Sequence, residues 1–324
     1  MTRRRRLLQL AAASTLPLPA LLRAQPSWPT KPVRIVVPFP AGGGADVAAR
    51  ALAQQLQAAL KQTVVVDNRA GADGLLAVQE TLRSPADGHT LFMATASSLS
   101  YLPNIRRKAG FDPLKDFTPL TTFLTFVFYL MVHESIPGRT LAEVIAHVKA
   151  HPGKYSYGNA NSTSNLAAAQ LAAGSGLQMV GVPYKGEAQM SPDLIGGRIH
   201  MAWATTPVLP ALMKDGRTRP MALLMPRRTT AMPDVPTIAE AGQPLVDIHP
   251  WGGFVVHAGT PPELSELIGK ELRTLIDRPE VVAAIDKVGL VARGSSAAEF
   301  AELLKTQLGA FAKAIKLAGL PIEE

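Results

Sequence analysis

Residues 31–50, Lys31-Pro-Val33-Arg-Ile35-Val36-Val37-Pro38-Phe39-Pro40-Ala41-Gly42-Gly43-Gly44-Ala-Asp46-Val47-Ala-Ala-Arg50, constrain the fold more than any other stretch. Val33, Ile35, Val36 and Val37 are strand-like, because branched side chains are stiff and pack well on a pleated surface. The three glycines that follow let the backbone turn sharply and let a ligand approach without meeting a Cβ. Val47, Ala51, Leu52, Leu56 and Leu60 then recur on one helical face. A strand that feeds a helix through such a loop leaves the first amides of the helix without intrahelical partners, at the positive end of its dipole. That combination favours an anion over the loop.

The same alternation of strand and helix signals continues, which predicts an α/β protein with a parallel sheet. Residues 63–66 and 89–95 read as further strands, with Ser97, Ser98 and Ser100 in the loop after the latter. Leu75, Val78 and Leu82 mark a helix between them. The apolar run at residues 123–132 is too short to cross a membrane, which needs roughly 18 residues, and reads as one buried strand. A second region repeats the logic of the first. Residues 155–157 are strand-like, residues 158–164 form a polar loop, and an alanine-rich helix follows from Asn165. Residues 178–182 and 198–203 are further strands, with Trp203 read as core. Thr140 with Glu143, Thr237 with Glu240, Thr260 with Glu263 and Ser296 with Glu299 have the spacing of capping boxes, and Pro261 fits the first helical position. Leu264, Leu267, Ile268, Leu272 and Ile276, then Phe300, Leu303, Leu304, Phe311 and Ile315, make the last third mostly helical.

The start of the chain is read as an export signal. Arg3 to Arg6 form a basic segment, residues 7–22 an apolar one, and residues 22–24 a cleavage site, so residues 1–24 are set apart from the fold. Arg4-Arg5-Arg6-Leu7-Leu8 is similar to a twin-arginine signal. The whole chain has a net charge of +8, but five of its arginines lie in this segment and no acid does, which leaves 28 bases against 25 acids beyond it. A net of +3 with no basic stripe gives no case for nucleic acid. The absence of cysteine excludes disulfides and thiolate chemistry. The remaining length, about 300 residues, suits two domains.

No motif carries catalysis. The histidines show no His-Glu-x-x-His pattern, His147 and His151 fit the last turn of a helix better than a metal site, and there is no Gly-x-Ser-x-Gly elbow. The glycine loop lacks both the Gly-x-Gly-x-x-Gly spacing and a following Lys-Ser/Thr, so a nucleotide enzyme is disfavoured. No catalytic residue, metal or cofactor is expected. A small-anion site at the first strand–helix turn of an exported chain points to a solute receptor.

Six motifs then occur in register: residues 38–46, Asp67-Asn68-Arg69-Ala-Gly71-Ala-Asp-Gly74, Asp87-Gly88-His89-Thr90-Leu91, Val182-Pro-Tyr184-Lys185-Gly186, Pro233-Asp234-Val-Pro236-Thr237-Ile-Ala-Glu240-Ala-Gly242 and Ala258-Gly259-Thr260-Pro261. Together they resemble the Bug proteins, the periplasmic solute-binding receptors of tripartite tricarboxylate transporters. The resemblance implies a type II periplasmic-binding-protein fold, with two α/β lobes joined by two hinge crossings: residues 26–125 plus 252–324 in one lobe and 126–251 in the other. It implies a small organic carboxylate held by the first glycine loop and by the polar loop of the second lobe, delivery to membrane permease subunits, and a monomeric, periplasmic protein. This chain departs from many members at Asn165-Leu166, where they have His-Leu, and at His257, where they have proline. The candidate contacts are Phe39, Ala41, Gly42, Gly43, Gly44, Asp46, Thr95, Ser97, Asn161, Ser162, Thr163, Ser164 and Tyr184, while Asn68 and Arg69 are read as ordering their loop. The alternative with the same site is a ligand sensor for a membrane signalling kinase.

Overall fold

The computed structural model describes residues 28–243 and 248–323, and the export signal read at residues 1–24 lies outside them. The chain begins with β1 (Val33–Val37), α1 (Gly44–Leu60), β2 (Val64–Asn68), α2 (Leu75–Arg83) and β3 (Thr90–Thr95), followed by a π-helical turn, Ser97–Tyr101, that runs into α3 (Leu102–Ile105) and then β4 (Phe117–Thr125). It continues with β5 (Phe128–His133), α4 (Leu141–Lys149), β6 (Ser156–Asn159), α5 (Ser162–Ser175), β7 (Val180–Pro183), α6 (Glu187–Ile195), β8 (Met201–Thr205), α7 (Leu209–Met213) and β9 (Thr218–Leu223). It closes with β10 (Trp251–His257), α8 (Pro262–Ile276), α9 (Pro279–Lys287), β11 (Val291–Ala292) and α10 (Ala297–Leu317).

These strands form two sheets, in the orders β11-β4-β10-β3-β1-β2 and β7-β6-β8-β5-β9. β1 is parallel to β2 and β3, and β6 is parallel to β7 and β8, as strand–helix–strand units require. The sheets are not wholly parallel, however. β10 is antiparallel to β3 and β4, and β5 is antiparallel to β8 and β9. The reason is geometric. The parallel strands end where the two sheets face each other. A chain arriving from the opposite sheet starts at that place, so β5 and β10, the arriving strands, must run the other way. β4 and β9 leave, and run with the parallel set.

The apolar run at 123–132 is accordingly two strands rather than one. β4 ends at Thr125 and β5 starts at Phe128, with Phe126 and Val127 spanning the gap between sheets. Strands buried on both faces read as continuous apolar runs, which hides the crossing. The return segment lies alongside it, Phe126 N–H donating to the Pro250 carbonyl at 2.8 Å. Within β5 the pleat alternates: Leu130 and Val132 join the larger apolar core with Trp203, while Tyr129 and Met131 join a second cluster with Met190 and Leu194 of α6.

The four capping boxes expected from the sequence fare differently. Thr140 and Ser296 cap α4 and α10. Thr237 and Glu240 exchange the bonds of a capping box, but only a turn follows. The box at Thr260 and Glu263 does not form, because α8 starts at Pro262 with Pro261 as its cap; the Thr260 hydroxyl, one residue too early, finds no partner among the described residues.

Phe254 sits at the middle of β10, fully buried, 5.4 Å from the Phe123 ring. Phe254→Ala should lower the free energy of unfolding by about 3–5 kcal/mol in denaturant titrations. A loss under about 1 kcal/mol would mean that the two strands are not locked at this point.

Candidate functional site

The carboxyl ends of the parallel strands meet between the two sheets, which is where open α/β sheets place ligands. A cavity lies there. The first sheet contributes Phe39, Pro40, Gly43, Gly44 and Ala45 from the β1–α1 turn, with Thr95, Ala96 and Ser97 from the end of β3. The second contributes Ala160, Asn161 and Thr163 at the start of α5, Gly186, Glu187 and Ala188 at the start of α6, and Thr205 at the end of β8. Phe126, Phe128, Pro250 and Trp251, at the two crossings, form the apolar wall.

Two of the three helix starts are open. α1 has Gly43 and α6 has Gly186 at the cap position, with no side-chain cap, so their first amides are left for other acceptors. α5 differs: the Asn161 side chain accepts from Ser164 N–H, and the Ser164 hydroxyl reciprocates as a capping box. The lobes touch around the cavity. Ser97 Oγ and Thr163 Oγ1 lie 3.2 Å apart, and Gly44 N–H donates to Glu187 Oε2 at 3.4 Å. A Cβ on Gly44 would stand 2.5 Å from Thr205 Oγ1, and one on Gly186 would stand 2.9 Å from Pro40 Cδ. At both positions only glycine lets the lobes come this close.

Of the residues singled out in the sequence, Phe39, Gly43, Gly44, Thr95, Ser97, Asn161 and Thr163 line this cavity. The others do not. Ala41 and Gly42 are exposed and outside the lining, although a Cβ on Gly42 would stand 3.8 Å from Ala188 Cβ of the opposite lobe. Ser162 is buried at the first turn of α5, outside the lining. Ser164 is consumed by the cap of α5. The Tyr184 hydroxyl donates to Asp193 Oδ2 at 2.7 Å, and the ring borders a separate hollow with Gly71 and Asp73.

Asp46 also points away. Its carboxylate accepts from Gly42 N–H at 2.9 Å, Asn68 Nδ2 at 3.0 Å and Arg50 Nε at 3.0 Å, so it pins the glycine turn from behind. Asn68 Nδ2 also donates to the Phe39 carbonyl at 2.9 Å. Burial pushes the Asp46 carboxyl up, but the bonds from Arg50, Gly42 and Asn68 outweigh it and hold the group below its ordinary value of 3.8.

Sequence reasoning missed Glu187, Thr205 and the aromatic wall. Glu187 lies directly after the Val182-Pro-Tyr184-Lys185-Gly186 motif, at a second glycine turn from strand to helix, and that repeat of the first turn was the available signal. Its carboxylate accepts from Thr205 N–H at 2.7 Å and from the Thr205 hydroxyl. Burial raises its carboxyl, with the bonds from Thr205 and Gly44 acting in the opposite direction. The aromatic wall carried no local signal, because only the crossings bring Phe126 and Trp251 together. Among the described residues no cluster of three or more histidine or acidic side chains could hold a metal, and no helix is long and apolar enough to cross a membrane.

Comparison with known proteins agrees with this geometry. Residues 48–320 match the model of the tripartite tricarboxylate transporter family receptor. Protein BugT of Bordetella pertussis is 34% identical over 272 residues, covering 81% of this chain and 82% of its own. Among solved structures, an R. palustris protein with adipate superimposes with a TM-score of 0.86 at 30% identity, covering 90% of this chain and 99% of its own. The periplasmic binding protein BugD does so with a TM-score of 0.85 at 26% identity, covering 91% and 99%.

Asp46→Ala removes an acceptor shared by three donors and should cost about 1–3 kcal/mol at neutral pH. The stability that Asp46 adds is present above the ordinary carboxylate value of 3.8 and is lost as pH falls through the lower folded value. The gap in Tm between wild type and variant should therefore close on acidification. A gap that stays constant or widens would contradict the pinning role.

Proposed function

The chain belongs to the tripartite tricarboxylate transporter receptor family, and from that premise we propose that it captures a small organic carboxylate between its lobes and presents the closed form to membrane permease subunits. Phe39, Gly43, Gly44, Thr95, Ser97, Asn161 and Thr163 are its contacts, and residues 26–125 plus 252–324 close against residues 126–251. One observation carries the proposal. Uncapped amides of α1 and α6 and the hydroxyls of Thr95, Ser97 and Thr163 converge on a single cavity from both sheets. Backbone amides at helix starts bind an anion without a buried counter-charge, whose desolvation is costly. The relative solved with adipate, a dicarboxylate, supports the same class of ligand. Membership in a receptor family supports binding rather than catalysis, and the arginine-rich start of the sequence supports export to the periplasm, with the twin-arginine route as the working assumption.

Closure follows from a ligand that touches both lobes, because only differential contact with the closed state shifts the population. The two crossings run side by side and supply part of the cavity wall, so the ligand rests on the hinge itself.

Trp251 makes this measurable, since it lines the cavity and its indole reports its surroundings. Protein refolded from denaturant, to strip any bound ligand, is titrated with small carboxylates, amino acids among them, and with their amides. Saturable quenching or enhancement by acids but not by amides is expected. An equal response to both, or none to any acid, would overturn the carboxylate reading. Gly44→Ala places a methyl group against Thr205 and should keep the fold while weakening binding by about tenfold or more, the loss of one or two good contacts. Full affinity in that variant would mean that the lobes do not close on this turn.

A further inference from the structure

Glu187 is out of place in a cleft built for anions. It is 5% exposed and is the one charged side chain among the described residues lining the cavity. Thr205 fixes its position through two bonds from the same lobe, and Gly44 N–H reaches it from the other. That amide belongs to the turn on which a ligand carboxylate would rest. When Glu187 is ionised, the ligand brings its negative charge into contact with one the protein already holds.

Among the described residues no lysine or arginine lines the cavity to offset the pair. The starts of α1, α5 and α6 face the cavity, and each is equivalent to about half an elementary positive charge. They come close to balancing Glu187 plus one carboxylate. A dicarboxylate would add a third negative charge to the same apolar-walled cleft, where repulsion is less screened than in bulk water. A ligand carrying its own cation removes the conflict. In an α-amino acid the ammonium nitrogen and the carboxylate carbon are bonded to the same atom. A carboxylate seated on the Gly43 and Gly44 amides thus delivers the ammonium beside Glu187. Phe39, Phe126, Phe128 and Trp251 leave an apolar space for what remains.

Resting on the receptor reading above, we propose that Glu187 binds the ammonium group of the ligand and that the ligand is a zwitterionic α-amino acid with an apolar side chain. Glu187 is then the residue that separates amino acids from plain carboxylates. Its raised carboxyl is consistent with this role, because an ammonium partner favours the ionised form that burial opposes.

The test is calorimetric titration of refolded protein with matched pairs: L-leucine and isocaproate, L-phenylalanine and hydrocinnamate, L-glutamate and glutarate, with L-leucinamide alongside. Leucine or phenylalanine should bind about tenfold to hundredfold more tightly than its deaminated partner, the range expected for one charge-assisted hydrogen bond. Glu187→Gln, checked for folding by circular dichroism, should erase that preference. If the variant fails to fold, the wild-type pairs decide the matter alone. Isocaproate, hydrocinnamate or glutarate binding as tightly as its amino partner would overturn the ammonium role and leave the receptor reading intact. A preference that survives in Glu187→Gln would also overturn it. No binding by any acid, or leucinamide binding as tightly as leucine, would overturn the carboxylate reading and this inference with it.

Discussion

The first amides of α1 have no acceptor within their own helix, and much of the cleft is arranged around that deficit. The helix start is left uncapped at Gly43. Asp46, one turn in, is kept from the cleft by Gly42, Asn68 and Arg50, so it does not fill the position an anion would take. Gly44 carries no side chain, and Thr205 and Glu187 from the other lobe come up against it. The Glu187 carboxylate reaches the same amide, as an anion should, though at a length that leaves room for a better acceptor. The fold presents a donor and the opposite lobe presents groups that respond to it.

The direction of the strands follows from the same place. Parallel strands deliver their carboxyl ends, and the helix starts that follow them, to the interface between sheets. The crossings must then begin or end at that interface, which is why β5 and β10 run against the set. Phe126, Pro250 and Trp251 lie on the crossings between the sheets and are also cavity wall. A ligand that packs on them biases the lobe arrangement directly, with no relay through distant elements.

Much of this was legible in the sequence, for local reasons. The Val33 to Gly44 pattern identified the first turn, and the β-branched run at 64–66 and the apolar run at 89–95 identified β2 and β3, whereas α5 was expected from Asn165 and starts three residues earlier, at Ser162, because Asn161 caps it. What escaped depended on topology. The break at Phe126 and Val127 is invisible in a run that is apolar on both sides of it. Asp46 and Ser164 carry the right chemistry for ligand contact, but Asp46 is taken up by Gly42, Arg50 and Asn68, and the Ser164 hydroxyl by the cap of its own helix. Thr205 carries no motif and matters only because the other lobe brings Gly44 against it. Glu187 was one residue beyond a motif that had been noticed, and its meaning depends on the cavity around it.

The central claim is that a ligand carboxylate sits on the amides at the start of α1. Nuclear magnetic resonance of protein carrying isotope-labelled glycine measures this directly, because an amide proton moves downfield when it gains a charged acceptor. On titration with a carboxylate that binds, the Gly43 and Gly44 signals should shift downfield and saturate together, while Gly309 and Gly319, on α10 and just after it and outside the cavity lining, stay still. Saturable binding with the Gly43 and Gly44 signals unmoved would place the ligand elsewhere and contradict the account.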